Sequence, residues 1–457
     1  MKMKRVAMVL AAMLTAVSIL GCGSSDSGQT QAKTEPATQA QQAGTAAQTE
    51  AKEPQGEVET VELWCWDEAF NVYAMKEAAK LYEAQRPNVK IDVQNITDNI
   101  TVRFTSAITS QQMELLPDIM LIQDRDLEKY VELYDVFEDL TDSGINFSDF
   151  AGYKVEAASA NGKNYGIPFD NGVACYVYRS DLLEQAGYKA EDITDITWRE
   201  FIDIGVAVKE KLGIPMAKVR TDAGFTLIEM MMQSAGSWYF DENGELNLTD
   251  NAVFREALDL YLEMVEKGIV VEVTDGEQYS SAFYDGSVMG TVNASWVLAT
   301  VSKEESLSGK WSITNVPKLV NAPGATNFSS SGGCNWTIIK TSEHKEAALN
   351  FLKETVGGGS LAGEFFDTVL KGAAVVSSYL PATESETYKA GTDYYGGQPV
   401  YYDLVNYSAG VPRISLGWYT TEARTALATC VQQIHSGTDI EKALEDMKST
   451  LEFQMVK

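Results

Sequence analysis

The chain has 457 residues, more than one hydrophobic core usually organises, and its 45% hydrophobic and 10% aromatic content is ample for two. Lys and Arg total 36 against 65 Asp and Glu, a formal net charge of −29 that repels phosphate backbones and anionic headgroups and argues against nucleic acid as a partner. The five cysteines are scattered without zinc-site spacing, and the two histidines, His344 and His435, read as surface residues near helix ends, so neither a metal site nor a Ser-His-Asp or Cys-His centre is expected.

In chain order, residues 1–21 read as a secretory signal. Lys2, Lys4 and Arg5 precede an apolar run from Val6 to Leu20, shorter than the ~20 residues that span a bilayer. Gly21 before Cys22 resembles the lipobox of bacterial lipoproteins, which implies that Cys22 carries lipid and holds the protein on the extracellular face of the cell membrane. Residues 22–58 then form a tether. Between 23 and 57 there is no large apolar side chain, so nothing offsets the entropy of a chain whose reach is roughly 30 Å.

From Val58 the pattern changes. VETVELWCW alternates as a strand does, Val72, Met75, Ala79 and Tyr82 make one stripe of a helix ending before Pro87, and Val89, Ile91 and Val93 alternate again. DIMLI (118–122) and YGIPF (165–169) add strands between helical stretches, which predicts an α/β fold with a largely parallel sheet. Residues 181–213 read as two helices and 250–267 as one, with Asp250 or Asn251 as its N-cap; two more follow, broken at Ser436-Gly437. In such folds ligands sit beyond the carboxyl ends of the strands, where Trp66 and Asp67 fall.

The ordered series WCWDEAF, LLPDIMLIQDRDLEKYV, YGIPFDNGVACYVYRSDLLEQAGY, GSWYFDENGELNLTD, FYDGSVMGTVNASW, SGGCNWTIIKTSEHKEAALNFLKE and LGWYTTEARTALATC resembles the extracellular solute-binding proteins of ABC importers, in the sugar-binding group that includes maltose-binding protein. The resemblance runs from about Val58 to the end. It implies a periplasmic-binding-protein fold of two α/β lobes, residues 59–167 with 330–380 and residues 168–329 with 381–457, which clamp a ligand in the cleft between them and close about a hinge. It further implies a monomer without cofactor or catalysis, whose partners are a carbohydrate and the importer's transmembrane subunits. Three stretches depart from the family pattern: SQQMELLPDIM lacks the small glycine-containing turn that often precedes Pro-Asp, Cys334 interrupts a stretch of small or aliphatic residues, and the tyrosine-rich segment 388–418 has no clear counterpart.

The candidate site residues answer the two surfaces of a sugar. Its C–H faces lie on large aromatic rings, for which Trp66 stands just past the first strand and Trp238, Trp296 and Trp418 stand in loop or small-residue contexts. Its hydroxyls need acceptors and bridging amides, for which Asp67, Asp124, Asp170 and Asn171 stand just past strand ends. Trp64, Trp198 and Trp311 are assigned to packing, and Trp336 leans the same way. Several tryptophans over both lobes suit an oligosaccharide better than one ring. Two other readings stay open at this level: Asp67 and Asp124 as the acid and base of a carbohydrate-active enzyme, and a cationic or peptide ligand held by acids and aromatic rings.

Overall fold

A computed structural model describes residues 58–455 except 98, 222 and 223; the signal, Cys22 and the tether lie outside the described residues. The strands are β1 (Glu59–Cys65), β2 (Val89–Asn95), β3 (Ile119–Gln123), the short hairpin β4 (Ser159–Ala160) and β5 (Lys163–Asn164), β6 (Ile167–Pro168), β7 (Ala174–Arg179), β8 (Ala217–Arg220), β9 (Val270–Val273), β10 (Gly290–Ala294), β11 (Trp311–Thr314) and β12 (Cys334–Ile338). The hairpin apart, they form two sheets, ordered β2-β1-β3-β12-β6 and β11-β7-β10-β8-β9.

Both sheets are covered on both faces. In β1, Val61, Leu63 and Cys65 pack under helices Asn71–Gln85, Lys345–Thr355 and Ala362–Ala373. Trp64 turns to the other face with helices Ile100–Thr109 and Asp124–Tyr134, as the two-residue period of a strand requires. The second sheet packs helices Trp198–Leu212, Ala252–Glu266, Thr420–His435 and Ile440–Gln454 on one face, and Gly276–Asp285, Val297–Val301 and Val400–Ser408 on the other. Helix Ala252–Glu266 starts where Asn251 Oδ1 accepts the N–H groups of Val253 and Phe254, each at 3.1 Å. Trp64, Trp198, Trp311 and Trp336 are all buried.

The largely parallel sheet that the pattern predicts is observed only in part. β1 runs parallel to β2 and β3, but β12 is antiparallel to β3 and β6, and β7 is antiparallel to β10 and β11. The cause is the connectivity: the chain crosses between the sheets and re-enters the first one from the opposite direction. YGIPF contributes only β6: the Phe169 N–H still donates to Cys334 O (3.0 Å), but the Cys334 N–H goes to Asp170 Oδ1 (2.8 Å) and Phe169 O accepts the Ser378 N–H (3.1 Å), which ends the ladder.

The crossing runs lie side by side. Ala174 N–H donates to Ser329 O (2.8 Å), Ser331 N–H to Gly172 O (3.0 Å), Asn171 N–H to Val376 O (2.8 Å) and Ser378 N–H to Phe169 O (3.1 Å). Gly172, at φ +58°, is required there, since a Cβ would lie 2.2 Å from the Gly332 carbonyl oxygen.

Candidate functional site

The carboxyl ends of β1 and β3, the crossing runs and loops and helix starts of the second sheet border a cleft of about 1160 Å³. Trp66, Asp67, Asp124, Asp170, Trp238 and Trp296 all line it. Asn171 and Trp418 do not.

At the end of β1 the chain is held open by a residue that sequence reasoning passed over. Asn71 Oδ1 accepts the N–H groups of both Trp66 and Asp67 at 3.1 Å, and Asp67 Oδ1 accepts those of Ala69 (2.9 Å) and Phe70 (3.1 Å). Trp66 is thereby left half-buried at the cleft wall, two residues from Trp64, which is 1% exposed. Asp67 is exposed and keeps one carboxylate oxygen clear of the turn it caps.

The floor is a buried charge cluster. Asp124 accepts from Asn335 Nδ2 through Oδ1 (2.8 Å) and from Lys154 Nζ through Oδ2; Lys154 is completely buried. Asp170 Oδ1 accepts the Cys334 N–H at 2.8 Å, and burial pushes its carboxyl above the usual carboxylate range against the pull of Lys154. Tyr153, its hydroxyl raised far above the ordinary value by burial, donates to the Asn171 carbonyl and side-chain oxygens. Asn171 is thus spent on joining the crossing runs. Gly333, at φ +127°, makes this approach sterically possible, because a Cβ would sit 2.2 Å from Lys154 Nζ.

The second-sheet side supplies Trp238, whose indole N–H donates to Thr420 Oγ1 at 2.8 Å and which is only 7% exposed, and Trp296, half-buried just past β10. Glu229 there accepts from Tyr239 OH (3.0 Å) and pairs with Arg424 Nε at 3.2 Å. Trp418 sits instead against the Glu128 carboxylate, which burial raises and the indole lowers. Its neighbours continue that contact between the lobes: Thr421 Oγ1 donates to Asp126 (2.9 Å), Glu422 pairs with Lys129, and Lys129 lies over the Tyr419 ring.

Arg125, Lys154, Glu229, Lys303 and Arg424 had no sequence signal beyond being charged near candidate elements. Arg125 lines the cleft with its buried Nε unpartnered, and its nearest carboxylate is Asp126 at 4.0 Å. Burial, and then the adjacent Arg424, push its guanidinium pKa down. The acids of the lining are therefore offset by bases: Asp124 pairs with Lys154 and Glu229 with Arg424, and Arg125 and Lys303 line the same cleft as Asp67 and Asp170. No group of three or more His, Cys, Asp or Glu side chains is placed to hold a metal ion among the described residues.

Residues 67–354 match the family described as bacterial extracellular solute-binding protein. A lactose-binding protein from Rhizobium radiobacter is 36% identical over 391 residues, 84% of this chain and 91% of that protein. An arabinooligosaccharide-binding protein from Bacillus subtilis is 26% identical over 66% of this chain and 70% of its own length. Among solved structures, an ABC transporter associated binding protein from B. animalis subsp. lactis, in complex with beta-1,6-galactobiose, superposes with a TM-score of 0.69 at 20% identity, over 86% of this chain and 97% of that one. At that identity the likeness speaks for the fold.

Proposed function

We propose, from the premise that this chain belongs to the bacterial extracellular solute-binding protein family, that it captures a carbohydrate outside the cell and hands it to the transmembrane subunits of an ABC importer. The observation that carries the reading is the cleft itself: half-buried Trp66 and Trp296, brought from different sheets, stand beside polar groups whose charges offset one another. Aromatic faces suit the C–H face of a sugar. A charge-balanced lining suits a neutral polyol, and weighs against a cationic ligand, which needs unmatched acids. The space of about 1160 Å³ has room for more than one ring, so an oligosaccharide is favoured.

On this reading Trp66, Asp67, Arg125 and Trp296 meet the sugar directly, Asp124 and Asp170 shape the floor, and Asn171 and Trp418 act from outside the lining. The protein binds without turnover. Asp124 is a poor general acid or base because both of its oxygens are engaged by Asn335 and Lys154. The lobes are proposed as residues 59–167 with 330–380 and 168–329 with 381–457, hinged at the crossing runs. The protein acts as a monomer tethered to the membrane by lipid on Cys22, and Cys22→Ala should release it into the medium with sugar binding intact.

The test is a thermal-shift and calorimetry panel of lactose, β-1,6-galactobiose, arabino-oligosaccharides, polyamines and peptides. A sugar should raise the unfolding midpoint by mass action and bind near a micromolar, about −8 kcal/mol. Heat from a polyamine or peptide and none from any sugar would sink the proposal, and a sugar recovered cleaved would make the protein an enzyme.

A further inference from the structure

The tyrosine-rich run 388–418 packs beneath the segment that carries Trp296. After β10 the chain forms the five-residue helix Val297–Val301. Trp296, Thr300 and Lys303 reach the cleft from this segment, while Val297, Leu298 and Val301 are buried in one cluster with Tyr388, Tyr395, Val400 and Leu404. So short a helix leaves most of its carbonyls without partners inside it, and alone it would not hold its shape.

Tyrosine hydroxyls add partners from outside the segment, on top of the backbone bonds by which Leu298 O accepts the Ser302 N–H (3.0 Å) and Thr300 O the Lys303 N–H (3.4 Å). Tyr395 OH donates to Leu298 O (3.1 Å), Tyr394 OH to Val301 O (2.7 Å) and Glu304 O (3.1 Å), and Tyr284 OH to Thr300 O (2.7 Å). Ser302 Oγ, 3.1 Å from the Tyr395 hydroxyl, donates to Leu298 O at 2.7 Å. The backbone is tied in as well, since Gly309 N–H donates to Tyr394 O at 2.9 Å. Burial pushes the Tyr394 hydroxyl up to about 12 and that of Tyr395 well above its ordinary value, so both remain donors at neutral pH.

We infer that Tyr394 and Tyr395 are positioning residues: their hydroxyls clamp the 296–304 segment from behind, so that Trp296, Thr300 and Lys303 meet the ligand at a set angle, although neither tyrosine lines the cleft. The inference rests on the cleft being the carbohydrate site. It assigns a role to the tyrosine-rich stretch that the family resemblance leaves unexplained.

Tyr394→Phe, Tyr395→Phe and the double variant keep the rings and remove only the hydroxyls. In the unliganded full chain, amide exchange of the peptide covering 296–304 should quicken by about tenfold while that of β1 stays unchanged; unaltered exchange at 296–304 would overturn the inference whatever the ligand is. Affinity for lactose and β-1,6-galactobiose is then compared in the native and Trp296→Ala backgrounds. The double variant should weaken binding about tenfold in the first and less than about twofold in the second, where the platform is already gone. No loss, or equal loss in both backgrounds, would refute positioning through Trp296. If neither sugar binds the native chain, the carbohydrate reading fails by itself and the exchange result alone decides the clamp. Should the double variant not fold, the single variants carry both measurements.

Discussion

The floor of the cleft and its walls are built on opposite principles. On the floor, both oxygens of Asp124 are engaged, by Lys154 and by the Asn335 amide N–H, while almost entirely cut off from water, and only the Asn335 Oδ1 is buried there without a partner among the described residues. On the walls, Trp66 and Trp296 keep part of their rings open to the cleft, and Asp67 is exposed. A group whose bonding is complete contributes shape and stability, whereas one left unsatisfied has affinity to offer. Mutations should therefore separate the two regions, with floor variants failing in stability and wall variants in binding.

The largest effect is expected on the floor. Lys154→Met leaves Asp124 charged, buried and short of a partner, which should cost about 3–5 kcal/mol in urea unfolding of the unliganded protein; a loss below about 1 kcal/mol would show that the cluster is not the closed unit described. Trp64 and Trp66 make the same contrast within one strand end. Trp64→Ala opens a cavity in the core and should cost about 3–5 kcal/mol. Trp66→Ala should cost less than about 1 kcal/mol of stability yet weaken sugar binding by about tenfold or more, roughly 1.4 kcal/mol per decade. The reverse pattern in calorimetry and unfolding would exchange their roles.

Asp67→Asn sharpens the comparison, because the amide oxygen still caps Ala69 and Phe70 while the charge is lost. Stability should stay within about 0.5 kcal/mol, and affinity should fall about tenfold through loss of a charge-assisted acceptor; unchanged affinity would reduce Asp67 to a cap.

The smallest effect is a slope. Because the folded-state pKa of Asp170 is raised, chiefly by burial, the folded protein holds this proton more tightly than the unfolded chain does. That contribution is fully present below the unfolded value near ~3.9 and is lost as pH rises through the folded value. Asp170→Asn lacks the slope, so its unfolding midpoint should gain on that of the native chain from about pH 4 upward. A difference that shrinks with rising pH would contradict the burial.

Much of this was legible in the residues. Period-two alternation located β1 and β2, a short apolar run located β3, period-three-and-four stripes located the helices over 71–85 and 252–266, and the position of Trp66 past the first strand and the small-residue or loop contexts of Trp238 and Trp296 pointed to where they line the cleft. Other features left no local trace. Trp418 stands in a loop context like theirs, yet it is drawn to Glu128 rather than to the cleft. Asn71, four and five residues beyond the peptides it holds, looks like any residue at the start of a helix. Lys154 lies on a short helix with nothing in its surroundings to mark a completely buried ammonium.

The sequence by itself determined the order of strands and helices, because strand and helix periods are written over a few residues. It also determined that a run of tyrosines stands between 388 and 418, but not what they are for. Only the tertiary structure decided which polar atoms remain for a ligand, because each is spent or spared by partners far along the chain. Asp124 loses its oxygens to residues 30 and 211 positions away, and Val301 gains its partner from Tyr394, 93 positions on. Satisfaction of a buried polar group depends on what folding brings within about 3 Å of it, and no local pattern carries that distance.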